Sequence, residues 1–98
     1  MDVVFGDADL AMIETEEAAK LRLPVAVIKS ARRKLIMLRA SPDERALRNW
    51  KSLHYEKLKG DREGQRSIRL NDQYRMVFKL DEATSPPTVT VNSTEDYH

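Results

Sequence analysis

The sequence predicts an α+β domain in which two N-terminal helices pack on a small antiparallel β-sheet. Three observations predict it. Apolar residues recur at helical spacing between Val25 and Leu38, strict apolar–polar alternation replaces that spacing from Arg66 onward, and Gly, Asn, Asp and Pro punctuate the second half. The element order reads β-α-α-(α)-β-β-β, which suits helices laid on one face of a sheet. With 98 residues, 41% hydrophobic and 34% charged, the composition is globular rather than disordered, and it supports one core in a single domain, 1–98.

Taken in order, Val3-Val4-Phe5 is a short β-type run ended by Gly6. Asp7 is placed to cap a following helix, along which Leu10, Ala11, Ile13 and Ala18 give a weak apolar stripe through about Ala19. Leu21–Leu23 links to Pro24, whose missing N–H suits the first position of a helix. Val25, Ile28, Ala31, Leu35 and Leu38 then share one face of the main core helix, which runs to about Arg39, with Val27, Arg33 and Lys34 elsewhere around the wheel. The two helices read as an antiparallel pair. Ser41-Pro42-Asp43-Glu44 opens a third, short helix, with Ser41 as cap, Pro42 at the first position and Glu44 reaching back as in a capping box. That helix extends to about Leu47 and leads to Trp50, read as core filler.

Leu53–Leu58 alternates well enough for a strand, and two Gly-punctuated stretches, Lys59-Gly60-Asp61 and Arg62-Glu63-Gly64, connect it onward. Beyond Arg66, Ile68 and Leu70 face one way, Ser67 and Arg69 the other. After the Asn71-Asp72 turn, Tyr74, Met76 and Phe78 share a face opposite Arg75, Val77 and Lys79. If the apolar faces meet the core, Arg69 and Arg75 emerge together on the other side. Two like charges side by side on a sheet are unfavourable without a bound anion, so the pair points to a polyanion site. Asp81–Pro87 is a polar hairpin loop, and Val89 and Val91 alternate with Thr88, Thr90 and Asn92 in the last strand.

The net charge of +1 conceals segregation by element. Acids alone occupy the first 19 residues and bases alone occupy 20–39, whereas bases dominate 43–80, a pattern that concentrates positive charge on one surface. There is no cysteine, which excludes disulfides and thiolate metal sites, and no apolar run reaches the length of a membrane span. A cytoplasmic protein with no membrane partner is expected. No phosphate-cradling glycine loop, metal-ligand spacing or Ser/His/Asp set is present, and two histidines, His54 and His98, are too few for a metal site, so no cofactor is expected. These residues suit a metal-free reaction on RNA, whose own 2′-hydroxyl supplies the nucleophile. The protein then needs to orient it, neutralise the phosphorane and protonate the leaving oxygen. Arginine forks fit the phosphate, and lysine, histidine, tyrosine and Asp96 supply proton transfer, stacking and orientation.

Leu58-Lys59-Gly60-Asp61, Gly64, the run Ser67-Ile68-Arg69-Leu70-Asn71-Asp72-Gln73-Tyr74-Arg75 and the closing Glu95-Asp96-Tyr97-His98 together resemble the HigB-type branch of the RelE/ParE toxin superfamily. The resemblance spans the chain and implies the RelE-like microbial ribonuclease fold. It also implies the toxin of a type II toxin–antitoxin pair, a ribosome-dependent, metal-independent mRNA endoribonuclease acting in the decoding site of the 30S subunit. The implied partners are the ribosome, mRNA and a HigA-like helix-turn-helix antitoxin, with operator DNA reached only through that antitoxin. By position, the catalytic set is Lys59, Arg75, Asp96, Tyr97 and His98. Within it, His98 and Lys59 transfer protons, Arg75 stabilises the phosphate, and Tyr97 and Asp96 position base and ring. Lys57, Arg66, Arg69 and His54 form the nucleic-acid-binding set. The chain departs from the usual pattern by carrying Arg66 and Tyr74 where many members have Trp. Two other functions fit the same surface: a ParE-like inhibitor of DNA gyrase without nuclease activity, and an RNA-binding module that does not cut.

Overall fold

The computed structural model describes residues 1–96 and builds them around a five-stranded sheet in the order β1-β5-β4-β3-β2. The strands are β1 (Asp2–Phe5), β2 (Glu56–Lys57), β3 (Gln65–Arg69), β4 (Tyr74–Asp81) and β5 (Thr88–Asp96), and the α-helices are α1 (Val25–Ala40) and α2 (Glu44–Asn49). The α+β class holds, with the helices preceding most of the sheet. Four strands pair antiparallel, while β1 joins the edge parallel to β5, Val3 opposite Val89 and Val4 opposite Thr90. The helical segments between β1 and the later strands supply the long connection that parallel pairing needs.

The N-terminal helix expected from Asp7 to Ala19 is instead two 3-10 segments, Ala8–Glu14 and Ala18–Leu21. Asp7 does cap the first, accepting from the Asp9 amide at 2.9 Å. The stripe is short and interrupted by Thr15 and three acids, too little apolar surface to hold a longer α-helix. Leu10 and Ile13 are buried, so the segment still closes one side of the core.

In α1 the expected core face holds at Ile28, Ala31, Leu35 and Leu38, with Val27 buried in place of Val25, which lies at the exposed start of the helix, 67% accessible. Pro24 stands just outside the helix rather than at its first position. The C-terminal carbonyls of α1 are satisfied by the Met1 ammonium, which donates to the carbonyls of Leu38, Arg39 and Ser41 at 3.2, 3.0 and 2.6 Å. Ser41 ends α1, its hydroxyl donating to the Met37 carbonyl, and the cap of α2 is Asp43, whose carboxylate accepts from the Ala46 amide at 3.0 Å. Trp50, expected in the core, is 41% exposed because the short α2 turns its Leu47 inward instead. Leu53 is buried in a 3-10 turn, Lys51–Leu53, and the strand expected over Leu53–Leu58 shrinks to the two residues of β2.

The core lies between α1 and the sheet, where Leu35, Leu38, Leu53, Ile68, Met76, Phe78, Val89 and Val91 have no accessible surface. Each such side chain contributes about 1.5–3 kcal/mol by leaving water. In β5 a register shift opposite Val77 and Phe78 leaves Asn92 without a strand partner, since Val77 pairs with Ser93 and Phe78 with Val91. That bulge sits against the end of β1, where a Cβ on Gly6 would come within 2.8 Å of the Asn92 side-chain oxygen.

Candidate nucleic-acid interface

The β3–β4 register pairs Ile68 with Met76 on the core side and Arg69 with Arg75 on the outer side, the arrangement that the alternation predicts. The bulge at Asn92 then matters for β5. Val89 and Val91 face the core, and strict alternation would send Ser93 and Glu95 inward as well. The extra residue reverses the order, so that Thr94 lies opposite the buried Met76 while Glu95 pairs with Arg75 on the outer face. Glu56 of β2 joins the same face opposite Ser67.

Arg75 is the most enclosed charge on this face, 9% exposed. Its Nε donates to the Ser67 hydroxyl at 2.8 Å and its Nη2 to the His54 carbonyl at 2.6 Å, while Glu56 Oε2 lies 3.8 Å from Nη2. Ser67 is itself buried, 1% exposed. His54 adopts a left-handed backbone, φ 47°, a conformation that costs a side-chain-bearing residue about 1–2 kcal/mol. His54 thus reaches the site through its backbone carbonyl, and its residue is otherwise exposed.

Arg69 lies beside Arg75, its guanidinium paired with Asp72 and its Nε donating to the Asn71 carbonyl at 3.3 Å. Asp96, the last residue of β5, pairs with Tyr74 and accepts from the Gln73 side-chain amide at 2.9 Å. Arg69, Arg75 and Asp96 therefore share one end of the sheet. Tyr97 and His98 lie outside the described residues. Lys34 of α1 is pushed below the usual lysine range, by burial first and then by the charges of Arg33 and Arg69.

Lys59 is exposed at the corner that leads into a 3-10 turn, Gly60–Arg62. Gly60 and Gly64 have φ of 68° and 91°, left-handed conformations that glycine alone adopts readily, and they fold the corner back toward β3. A cleft of about 540 Å³ opens there, lined by Lys57, Lys59, Gly60, Glu63, Gly64 and Arg66. Lys57 and Arg66 pair with one another on the side of the sheet away from Arg75. Arg66 is engaged by its own protein: Nε donates to Tyr55 Oη at 3.0 Å, Nη2 to Glu44 Oε2 at 3.2 Å and Nη1 to the Gly64 carbonyl at 2.8 Å. Tyr55 Oη donates to Glu44 at 2.6 Å, and Lys57 lies 3.9 Å from the same carboxylate. The Tyr55 hydroxyl is the largest cause holding Glu44 below the usual carboxylate range; burial opposes it, and Arg48, Arg66 and Lys57 reinforce it. Burial and Glu44 raise the Tyr55 phenol, with Arg66 opposing, so Tyr55 stays protonated and donates.

Two groups on the Arg75 face were not singled out by sequence reasoning. Arg62 reaches from the Lys59 corner to β5 and grips both carboxylate oxygens of Glu95, Nη1 to Oε1 at 2.7 Å. The Ser93 hydroxyl also donates to Glu95, at 2.6 Å. Glu95 is held below the usual carboxylate range by Arg62 first, against burial, with Ser93 adding. Opposite charges 33 residues apart carry no local signal, and the strand order alone brings them together. Ser67 could have been read from its position: it alternates with Ile68 on the same side as Arg69, one strand from Arg75. Among the described residues, no three His, Asp or Glu side chains converge on a metal-binding group, and no helix is long and apolar enough to cross a membrane.

Comparison with known proteins agrees with this architecture. Solved structures with the same fold include a YoeB/ParE toxin from Agrobacterium tumefaciens, 19% identical with a TM-score of 0.61, each chain covered in full. YafQ from E. coli BL21(DE3) is 13% identical with a TM-score of 0.59, over 98% of this chain and 92% of that one. YoeB in the YoeB–YefM complex from Staphylococcus aureus is 18% identical with a TM-score of 0.57, over 100% and 97%. At these identities the likeness is one of fold. A comparison with curated proteins gives no match. The family model for the RelE-like toxin of the type II toxin–antitoxin system HigB matches residues 5–98, nearly the whole sequence. The chain therefore belongs to the HigB-like family of toxins from type II toxin–antitoxin systems.

Proposed function

We propose that this toxin is a ribosome-dependent, metal-independent endoribonuclease that cleaves mRNA by attack of the RNA 2′-hydroxyl on the adjacent phosphate. The observation that carries the reading is the setting of Arg75. Its guanidinium is fixed by Ser67 and the His54 carbonyl on a sheet face where Arg69 stands in register with it on one side and Glu95 on the other. A pre-positioned guanidinium is suited to the charge that develops on a phosphorane, because it needs no reorganisation when the charge appears. Arg69 holds the phosphate backbone beside it. Lys59 and His98 carry the proton transfers, one toward the leaving 5′-oxygen and one from the 2′-hydroxyl, and Asp96 and Tyr97 orient base and ring. His98 follows Asp96 by two residues, and Asp96 ends its strand at the same end of the sheet as Arg75. Lys57, Arg66 and Lys59 line the cleft at the corner, which gives the RNA backbone a cationic path over the sheet edge, and His54 contributes the carbonyl that fixes Arg75.

The cognate partner in this reading is a helix-turn-helix antitoxin that covers the cationic face and carries the complex to operator DNA, and the site of action is the cytoplasmic ribosome. Mapping mRNA 5′ ends after induction in a translating extract, with and without ribosomes, tests the activity. New ends that require ribosomes are expected for the wild type and are lost in Arg75→Ala and His98→Ala. Undiminished cleavage by both variants would sink the reading. DNA-damage signalling without new mRNA ends would point instead to a gyrase poison.

A further inference from the structure

Each arginine on the outer face is matched with a carboxylate of the chain itself: Arg75 with Glu56, Arg69 with Asp72, and Arg62 with Glu95. The third match differs from the others. Glu95 stands in register with Arg75, directly in the row where the proposed substrate phosphate is neutralised. It is held by two oxygens to one guanidinium fork, the geometry in which arginine grips two oxygens of a phosphate. The pair is open to solvent, with the Arg62 side chain 43% and the Glu95 side chain 32% exposed, so separation does not leave a buried charge behind. Arg62 also closes the turn that begins next to Lys59, so the pair ties that corner to β5.

We propose that Arg62 is a further phosphate-binding residue of this face, and that Glu95 occupies its guanidinium in the free protein as an internal substitute for an RNA phosphate. The inference rests on the reading of the Arg75 face as the RNA site. When a single-stranded RNA enters, a phosphodiester takes the Arg62 fork and Glu95 turns to solvent. The carboxylate thereby sets a threshold: a ligand must outcompete it, which favours a strand placed by several simultaneous phosphate contacts over stray anions.

The test is a double-mutant cycle read by fluorescence anisotropy at low ionic strength and across a salt series. The ligand is a short 2′-O-methyl RNA, which lacks the attacking hydroxyl. Glu95→Gln is expected to bind severalfold more tightly than the wild type. Arg62→Ala, introduced into the Glu95→Gln protein, is expected to weaken binding and to flatten the plot of log affinity against log salt by about 0.7, the value for one phosphate contact on a single strand. If Arg62→Ala has no effect in that background, Arg62 merely neutralises Glu95 and the proposal is overturned. It is equally overturned if Glu95→Gln binds no more tightly than the wild type. Arg75→Ala, with Arg75→Lys as the variant that keeps the charge, separates the two levels. Affinity that needs Arg75 but ignores Arg62 overturns only this inference, whereas affinity indifferent to both overturns the reading of the face.

Discussion

Arg75 carries a charge at a place where the sheet nearly seals it from water, and its neighbours show how that is tolerated. An unpaired buried cation would be strongly destabilising, so the guanidinium is given acceptors from two different elements, a serine hydroxyl on β3 and a backbone carbonyl at the left-handed His54. Ser67→Ala removes the first of these. Urea unfolding is expected to show a loss of about 1–3 kcal/mol, the cost of taking a hydrogen-bond partner from a buried charged group. If Arg75 stabilises the phosphate as proposed, cleavage should fall as well, because a guanidinium that swings away from its rotamer no longer meets that group. Ser67→Thr, which keeps the hydroxyl, should recover much of the rate. An unchanged rate in Ser67→Ala would show that Ser67 has no positioning role. At this scale the arginines were legible from alternation alone. The role of His54 was not, since nothing in a histidine's identity announces that its carbonyl, rather than its ring, will face the site.

The corner between β2 and β3 is set by a polar tie to α2. Glu44 receives Tyr55, Arg66 and Arg48, and it joins the start of a short helix to the strand that leads into the Lys59 turn. Because the folded state lowers the Glu44 pKa, its contribution is present above the ordinary carboxylate value of about 4.5 and is lost as pH falls through the lower folded value. Wild type should therefore be more stable than Glu44→Gln near neutral pH, with the two melting curves converging in acid. A difference that stays constant with pH would show that the charge of Glu44 is not what holds the corner. The elements most legible in the sequence were β3, β4 and α1, where clean periodicity coincides with burial. The N-terminal segment and the region around Trp50 were less so: a few apolar residues there fit several turn types, and long-range packing chose 3-10 geometry. The cap of α2 moved to Asp43 for a similar reason, since Ser41 was already used in closing α1.

Over the whole molecule, near-neutrality comes from charge blocks that are separate in the sequence and paired in space, Arg39 with Glu14, Arg66 with Glu44 and Arg62 with Glu95. The sequence shows the blocks, but the strand order decides which meet. The parallel pairing of β1 with β5 joins the two ends of the chain, a link between segments more than 80 residues apart that no local pattern encodes. The same closure puts Gly6 against the bulge of β5 and so couples the start of the chain to the strand that ends in Asp96.

That bulge acts as a phase slip in a repeating signal. Upstream of Asn92 odd-numbered residues point to the core; downstream the odd-numbered residues point to the outer face. A single strand thus serves two masters, an apolar interior for its first half and an ionic surface for its second, with one residue as the switch between them. Deleting Asn92 would remove the extra residue and let Ser93 follow Val91 in plain alternation, so Thr94 would still lie opposite Met76 and Glu95 opposite Arg75. RNA binding, read by anisotropy, is therefore expected to survive the deletion as well as substitution of Asn92 by Ser or Ala; binding lost on deletion alone would show that the bend of the bulge, and not the alternation, aims the end of the strand. What the position supplies is one place in the count, by which a strand whose odd-numbered residues enter the core at its start presents odd-numbered residues outward at its end.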